Sequence, residues 1–289
     1  MIYLKSFTLP SRIEEDEYVL SYPPELELGC CDVNNAYPFR IFADRVSEPF
    51  VFSEITCFSG GNGSGKSTLL NVIAEAVGAR RLSSIGASKC MNAYVERCSY
   101  RLAYGYDFIP DDSLVIRSDD VFDFLLDLRS INDGAAKDRA EVYSKYKELR
   151  LSEYKPLASL NEIEELRTNN EAKRSTASAF MSKRVPKDIP SKSNGESAFY
   201  FFTDKIKENS LYILDEPENS LSPILQTALV DYLRDSARFY NCQFIISTHS
   251  PFSLAMKEAR IYDLDKDPIR EESFEKLLSV DIYRRLFSR

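Results

Sequence analysis

The feature that most constrains the fold is the glycine-rich stretch Gly60-Gly61-Asn62-Gly63-Ser64-Gly65-Lys66-Ser67-Thr68. It fits the pattern G-x-x-x-x-G-K-[ST], whose backbone N–H groups surround phosphate oxygens. Residues 51–58 are rich in β-branched and aromatic side chains and predict a buried strand before the stretch. Apolar residues at helical spacing predict a helix after it, ending at Gly78. A glycine-rich turn that matches by chance is the alternative, but a chance turn would not need this flanking strand and helix.

Each part of this stretch has a predicted role toward a nucleoside triphosphate. Gly60, Gly63 and Gly65 permit backbone angles that a Cβ would forbid, so that N–H groups and the helix N-terminus converge on phosphate. We predict that Lys66 reaches the β- and γ-phosphates and that the Ser67 hydroxyl ligates Mg²⁺. The residues predicted to bind the nucleotide are Gly60, Gly61, Asn62, Gly63, Ser64, Gly65, Lys66, Ser67 and Thr68, the last at the α-phosphate.

A second apolar run, Leu211–Leu214, ends in the adjacent carboxylates Asp215 and Glu216. The run does not alternate, which is typical of a strand covered on both faces. Asp215 would then lie at the carboxyl end of a parallel strand and hold Mg²⁺, through water. Glu216 is the candidate general base or water-orienting residue. Alone, the pattern would indicate a strand and an acidic turn; beside the phosphate-binding pattern it predicts the second half of the site.

The single histidine of the chain, His249, follows a third predicted strand at Gln243–Ser247. A lone histidine is usually a surface or capping residue. Here it closes an apolar strand and precedes a Ser-Pro helix start. This order predicts that His249 lies at the same sheet edge as Asp215 and Glu216, where it could donate to the γ-phosphate or the attacking water.

Four motifs together give the chain a family resemblance. In order they are the stretch 61–68, Ser193-Asn194-Gly195-Glu196-Ser197, Leu214-Asp215-Glu216-Pro217-Glu218 and Ser247-Thr248-His249-Ser250-Pro251. They resemble the ABC-type ATPases, and more narrowly the RecF-like and SMC-like soluble branch, which includes OLD-type ATPases and small AAA-family ATPases. The resemblance implies ATP and Mg²⁺ as cofactors. It also covers the predicted last strand, residues 259–264.

The resemblance also implies a dimer and a partner. The segment from Ser193 to Glu196 matches the family's signature motif, which caps ATP bound to a second subunit. By this likeness Ser193 and the Gly195 backbone would contact the partner's γ-phosphate, and Glu196 would open the following helix. Residues 218–222 occupy the D-loop position, which joins the two active sites. Stand-alone members often work with a nuclease or other effector in DNA repair or defence against phage, and here that effector would be a separate chain.

The chain departs from the family pattern in two places. Asn194 replaces the usual second glycine of the signature, although asparagine still tolerates unusual backbone angles. No glutamine lies between the phosphate-binding stretch and the signature, where relatives sense Mg²⁺ and γ-phosphate. The pattern of residues 114–122 predicts the strand and turn that should carry this glutamine. Asp119 is the candidate replacement, and an exposed acidic turn is the alternative.

These features predict one α/β domain of the P-loop, ABC-ATPase type over residues 1–289, with a central, mostly parallel sheet. Residues 1–132 would form an N-terminal β-rich lobe and the phosphate-binding region, with candidate strands at Met1–Leu4 and Pro38–Phe42. Residues 133–192 would form an inserted helical lobe, with helical stretches at 141–151 and 160–166. Residues 193–289 would carry the signature, the carboxylates and His249.

Composition narrows the class of partner. A net charge of −8 argues against a protein that coats nucleic acid over its whole surface. Between residues 173 and 192, however, only Asp188 offsets a group of cations, which are Lys173, Arg174, Lys183, Arg184, Lys187 and Lys192. This group is a contact for DNA or RNA phosphates, an attractor for the partner's ATP, or a solvated helical face. No apolar run could span a bilayer and no secretory pattern begins the chain, so we expect no membrane partner and a cytoplasmic location.

Two functions remain open from the sequence. The first is an ATP hydrolase that dimerises head to tail on ATP and drives or gates a partner effector. The second is a nucleotide-operated switch or sensor with slow turnover, which the missing glutamine keeps open. The ATPase subunit of a membrane transporter fits poorly because no glutamine-bearing loop is present. A GTPase is disfavoured because no Asn-Lys-x-Asp segment is present.

Overall fold

The computed structural model describes residues 1–21, 37–46, 48–83, 89–152, 163–184 and 193–288. The strands are β1 (Leu4–Thr8), β2 (Phe50–Val51), β3 (Ile55–Ser59), β4 (Arg80–Arg81), β5 (Ser99–Leu102), β6 (Leu114–Arg117), β7 (Leu211–Asp215), β8 (Gln243–Ser247), β9 (Arg260–Asp263) and β10 (Arg270–Glu271). The helices are α1 (Arg12–Ser21), α2 (Lys66–Val77), α3 (Lys89–Val95), α4 (Ser118–Leu151), α5 (Ile163–Arg174), α6 (Ala177–Ser182), α7 (Asn194–Lys205), α8 (Pro223–Phe239), α9 (Pro251–Leu254) and α10 (Leu278–Phe287). A short 3₁₀ helix spans Phe274–Lys276.

Two compact units divide the chain. One contains Met1–Phe122 and Asn194–Arg289, and the other contains Asp123–Ser193. The inserted helical lobe predicted at 133–192 falls within the second unit, whose first boundary lies ten residues earlier in the chain. That these parts form one domain stays a prediction.

A seven-stranded sheet organises the first unit, in the order β10-β9-β3-β8-β7-β6-β4. All its pairs are parallel except the one between β9 and β10. Strands β3, β7 and β8 are buried almost throughout, as expected of parallel strands covered on both faces. The predicted α/β class with a mostly parallel sheet is therefore confirmed.

The N-terminal β-rich lobe is a three-stranded antiparallel sheet, in the order β2-β1-β5. The buried amide of Gln243, at the start of β8, joins it to the main sheet. Its Oε1 accepts from the N–H groups of Tyr3 and Leu4, at 2.8 and 2.9 Å. Its Nε2 donates to the carbonyls of Leu4 and Ser53, at 2.8 and 3.1 Å. A buried amide with all its partners in place fixes the relation of the two sheets.

The predicted strand at Pro38–Phe42 is wrong, because this segment forms turns. Arg40 adopts a left-handed φ of 67°, and its N–H donates to the buried carboxylate of Glu15. Phe39 and Phe42 are buried in the core, so the hydrophobic pattern reflects packing and not a strand. The first strand also differs: β1 begins where the predicted strand Met1–Leu4 ends.

The second unit has its own small core, formed by Tyr146, Ala172 and Phe180. Beside it, Glu171 accepts from Arg184 at 2.6 Å and from Lys183 at 2.8 Å. These two cations lower the pKa of Glu171 to about 2, with Arg184 contributing most. Lys183 and Arg184 are thus not free cations as the sequence indicated, because Glu171 in α5 supplies their counter-charge. Lys187, Asp188 and Lys192 lie outside the described residues.

Within the described ranges, no helix combines the length and apolar character that a bilayer crossing requires. The longest helix, α4, carries charged residues along its length.

Candidate nucleotide-binding site

The carboxyl ends of β3, β7 and β8 lie side by side. Asp215 of β7 pairs in register with Ser247 of β8, and Ser247 pairs with Phe58 of β3. The segments that leave these strands therefore start at one edge, where open α/β sheets bind their ligands. They are the phosphate loop, defined here as residues 60–68, the pair Asp215-Glu216 and the histidine loop, defined as residues 248–250.

The phosphate loop turns between β3 and α2 as the sequence predicts. Gly63 and Gly65 both have left-handed φ angles, of 79° and 99°. At Gly65 a Cβ would also lie 2.9 Å from the ring of Phe42, so only glycine fits. Gly65 is the N-cap residue of α2 and brings no capping side chain. The first N–H groups of α2 are thus exposed to an anion, as at other phosphate-binding helix ends.

Lys66 bends back over this loop. Its Nζ donates to the carbonyls of Gly60 and Gly61, at 2.9 and 3.1 Å, and the side chain is buried. Burial lowers the pKa of Lys66, and the carboxylates of Glu216 and Asp215 oppose that shift. The Lys66 ammonium therefore lies near both carboxylates, at the phosphate loop.

Ser67 and Asp215 bring two oxygen ligands together from distant parts of the chain. The Ser67 hydroxyl donates to Asp215 Oδ1 at 3.1 Å, and the Ser247 hydroxyl donates to the same oxygen. Oxygen ligands from one hydroxyl and one carboxylate suit Mg²⁺, which completes its shell with water and substrate phosphates. The residues present therefore fit the predicted metal, with Ser67 and Asp215 as its protein ligands.

Burial raises the pKa of Asp215, and the hydrogen bonds from Ser247 and Ser67 only partly oppose this. A carboxyl whose folded-state pKa is raised destabilises the fold when charged, so its cost appears as pH rises through its pKa. We expect Asp215→Asn to raise the free energy of unfolding of the nucleotide-free protein by about 1 kcal/mol at neutral pH. Urea denaturation measures this gain.

The same experiment has an internal check. The gain from Asp215→Asn should shrink as pH falls, because the wild-type carboxyl then becomes protonated and loses its charge. The exposed Asp235→Asn is the matched control and should change stability little at any pH. A wild type that is more stable than Asp215→Asn at neutral pH would contradict the argument.

Glu216 and His249 face each other across the sheet edge. Glu216 Oε1 lies 3.3 Å from His249 Nε2, and this buried nitrogen has no hydrogen-bond partner among the described residues. Glu216 has a left-handed φ of 50°, and its N–H donates to the carbonyl and hydroxyl of Ser247. The structure thus brings the two candidate catalytic residues together.

The signature residues divide between the two units. Gly195 and Glu196 lie in the first turn of α7, whereas Ser193 precedes that helix and belongs to the second unit. A Cβ on Gly195 would lie 2.7 Å from Leu225 and 3.4 Å from the Ser220 carbonyl. Gly195 therefore packs directly on the D-loop segment and on α8, and its backbone N–H lies at a helix N-terminus.

Asp119 lies in the first helical turn of α4, which begins at Ser118. It is therefore part of a helix and not of a loop after β6. Its carboxylate is 76% exposed and lies 3.8 Å from Arg117. The buried carboxylate here is Asp120, which accepts from Ser83 Oγ and the Arg117 N–H. Asp120 lies in the first turn of α4 and binds the N–H of Arg117, the residue before the helix, which pairs in register with Asp215.

Several residues of the site were not predicted from the sequence. Ser247 holds both Asp215 and the Glu216 N–H. Asp265 accepts from the Gly61 N–H at 2.9 Å. Arg45 donates to the Ser64 carbonyl at 3.2 Å, and the Tyr37 hydroxyl contacts Thr68 Oγ1 at 3.1 Å. Only Ser247 carried a sequence signal, since it ends an apolar strand at the predicted edge.

Residues 194–253 match a family model described as AAA ATPase domain. The matched segment runs from the signature through Asp215-Glu216 to the histidine loop. The resemblance to ATPases is confirmed. The phosphate loop lies outside the matched range. The ATPase assignment therefore rests on two separate observations, the family match and the geometry of the phosphate loop.

Solved structures resemble the chain at low identity. An Smc head bound to the C-winged helix domain of ScpA is 17% identical, with a TM-score of 0.44, over 95% of this chain and 99% of that one. A nucleotide-free ATP-binding cassette from an ABC transporter is 15% identical, with a TM-score of 0.43, over 100% of this chain and 96% of that one. Likenesses this low support no conclusion about function. A comparison with curated proteins finds no match.

Proposed function

We propose that the protein is a Mg²⁺-dependent ATP hydrolase. The observation that carries the proposal is the hydrogen bond between Ser67 and Asp215, which joins the phosphate loop to the acidic strand end. An oxygen pair at that point, beside a buried lysine and an open helix N-terminus, matches the needs of a metal–triphosphate complex. Steady-state phosphate release with ATP, with and without Mg²⁺, tests it directly.

In this proposal each residue of the site has its own role in ATP hydrolysis. The loop N–H groups and Lys66 bind the β- and γ-phosphates, and bound Mg²⁺ would neutralise charge that develops on them. Glu216 orients the attacking water and accepts its proton. His249 uses its free Nε2 as a hydrogen-bonding group beside the γ-phosphate. Positioning and electrostatics dominate phosphoryl transfer, so fixed placement of these groups is the main requirement.

We further propose that two copies close head to tail on ATP. Ser193 and the Gly195 N–H of one copy would cap the γ-phosphate held by the other, and Glu196 would favour the N-terminus of α7. The tight packing of Gly195 on Leu225 supports a role for this glycine beyond flexibility. Coupling to a separate effector, in DNA repair or defence against phage, rests on the family resemblance alone, as does contact with DNA or RNA.

Dimer formation makes a direct prediction. Ser193→Arg places a long charged side chain where the partner's nucleotide would lie, so closure should fail and the ATP-dependent dimer should be lost. Multi-angle light scattering of the Glu216→Gln protein, with and without Ser193→Arg, measures this in Mg-ATP. The exposed Ser273→Arg is the control and should still dimerise. An ATP-dependent dimer of normal size in the Ser193→Arg protein would remove the signature role.

A slow switch is the second candidate function. One observation favours it: Asp119, the candidate replacement for the missing glutamine, is exposed in the first turn of α4. A site without that group would bind nucleotide well and turn over slowly. Turnover measured with Mg-ATP alone and with added DNA separates the two, because a hydrolase releases phosphate continuously at steady state, whereas a switch releases little more phosphate than there is protein present.

A further inference from the structure

Glu218 is a buried carboxylate with an unusual set of partners. It lies two residues after Glu216 and is 9% exposed. Its Oε1 accepts from the Thr248 hydroxyl at 2.8 Å, the His249 N–H at 2.6 Å and the Ser250 N–H at 3.0 Å. One oxygen therefore holds every residue of the histidine loop.

Burying such a group costs stability unless hydrogen bonds offset the loss of water. Burial raises the pKa of Glu218, and its hydrogen bonds with Thr248, His249 and Ser250 oppose that shift. The other oxygen, Oε2, is buried and finds no hydrogen-bond partner in the part of the chain that the structure describes. The hydrogen bonds of the Glu218 side chain that offset this cost go to the histidine loop.

The turn that carries Glu218 also holds Glu216. Asn219 Nδ2 donates to Glu216 Oε2 at 3.1 Å, and the Asn219 N–H donates to the Glu216 carbonyl at 3.2 Å. The same short turn thus fixes Glu216 on one side and the histidine loop on the other. The 3.3 Å separation of Glu216 Oε1 and His249 Nε2 is the result.

We propose that Glu218 is a positioning residue that sets His249 against Glu216 by holding the backbone of the histidine loop. The proposal deepens the ATPase function and rests on it for its kinetic consequence. Because Glu218 is buried and its Oε1 binds the histidine loop, it acts through His249.

The kinetic test compares Glu218→Ala with Glu218→Gln. The alanine variant removes the acceptor, so kcat should fall about 10- to 100-fold while the Kd for ATP stays within about twofold. Glutamine keeps an oxygen for the same donors and should restore most of kcat. An alanine variant that keeps wild-type kcat, or that loses ATP affinity equally, overturns the proposal.

A double-mutant cycle separates positioning from general damage. If Glu218 acts through His249, Glu218→Ala should lower kcat little further in a His249→Ala background. A merely structural role predicts the same loss in both backgrounds, and that result would overturn the proposal. Circular dichroism melting checks folding of each variant, and Glu218→Leu, which keeps most of the volume but has no acceptor, replaces the alanine variant if that protein does not fold.

A spectroscopic measurement tests the positioning role without relying on ATPase activity. The chain has one histidine, so ¹⁵N-histidine labelling gives a single imidazole spin system. Glu218→Ala should shift or broaden its signals, whereas Glu218→Gln and the exposed Glu258→Ala should leave them near wild type. Unchanged imidazole signals in Glu218→Ala would overturn the positioning role. A wild-type protein without ATPase activity would overturn only the proposed function, because the imidazole signals report the position of His249 without any turnover.

Discussion

Lys66→Ala is expected to weaken ATP binding by at least about 100-fold. The ammonium is buried above the phosphate loop and bonded to the carbonyls of Gly60 and Gly61, so it is already placed where phosphate would lie. Charge-assisted bonds to two phosphates contribute about 3 kcal/mol or more, which corresponds to that loss of affinity. Isothermal titration calorimetry with Mg-ATP measures the change.

The matched control for Lys66→Ala is the exposed Lys257→Ala, which removes an equal charge away from the sheet edge. It should bind ATP as the wild type does. Because Lys66→Ala also leaves two carbonyls without a donor, its melting temperature must be measured alongside. Unchanged ATP affinity in a folded Lys66→Ala protein would refute the assignment of the phosphate loop.

Glu216→Gln is expected to keep ATP affinity and to lower kcat by about 100-fold or more. Glutamine preserves the size of the side chain and can still contact Asn219 and His249, but it cannot accept a proton. If hydrolysis is what reopens the dimer, this variant should accumulate as an ATP-bound dimer. Steady-state phosphate release and size-exclusion chromatography in Mg-ATP report the two effects.

The exposed Glu258→Gln is the control for this change and should alter neither turnover nor oligomeric state. A Glu216→Gln protein as active as the wild type would remove Glu216 from the mechanism. Loss of ATP binding would instead indicate that Glu216 holds the phosphate loop, since it lies close enough to Lys66 to oppose the lowering of its pKa.

The parts of the fold that the sequence predicted well are locally encoded. The strand predicted at Gln243–Ser247 has those bounds in the structure, because an apolar run is closed at both ends by polar residues. Helix α2 ends before Gly78, whose φ of 71° only glycine adopts at low cost. Both signals lie within a few residues of the feature that they predict.

The segment from Tyr37 to Arg45 could not be predicted in this way. Its apolar residues look like a strand, but Arg40 is bound to Glu15, Phe42 packs at Gly65 and Arg45 reaches Ser64. These contacts join residues far apart in the chain, so tertiary packing overrides the local pattern.

The candidate site likewise contains residues that local motifs predicted and residues that only tertiary contacts reveal. Motifs located Lys66, Ser67, Asp215, Glu216 and His249, because each follows a recognisable strand. Ser247 holds Asp215 and the Glu216 N–H, and Asp265 holds the Gly61 N–H. These contacts depend on the register of neighbouring strands, which no single motif contains. The role of Ser193 depends on a second copy of the chain, so it stays a prediction.

The backbone at Glu216 carries strain, since a left-handed φ costs a residue with a Cβ about 1 kcal/mol. Glycine or asparagine would relieve it. Selection for thermal stability alone would therefore favour replacement of Glu216. The stabilised variants would lack ATPase activity. Screens for robustness in this protein should be run with catalysis as a second filter.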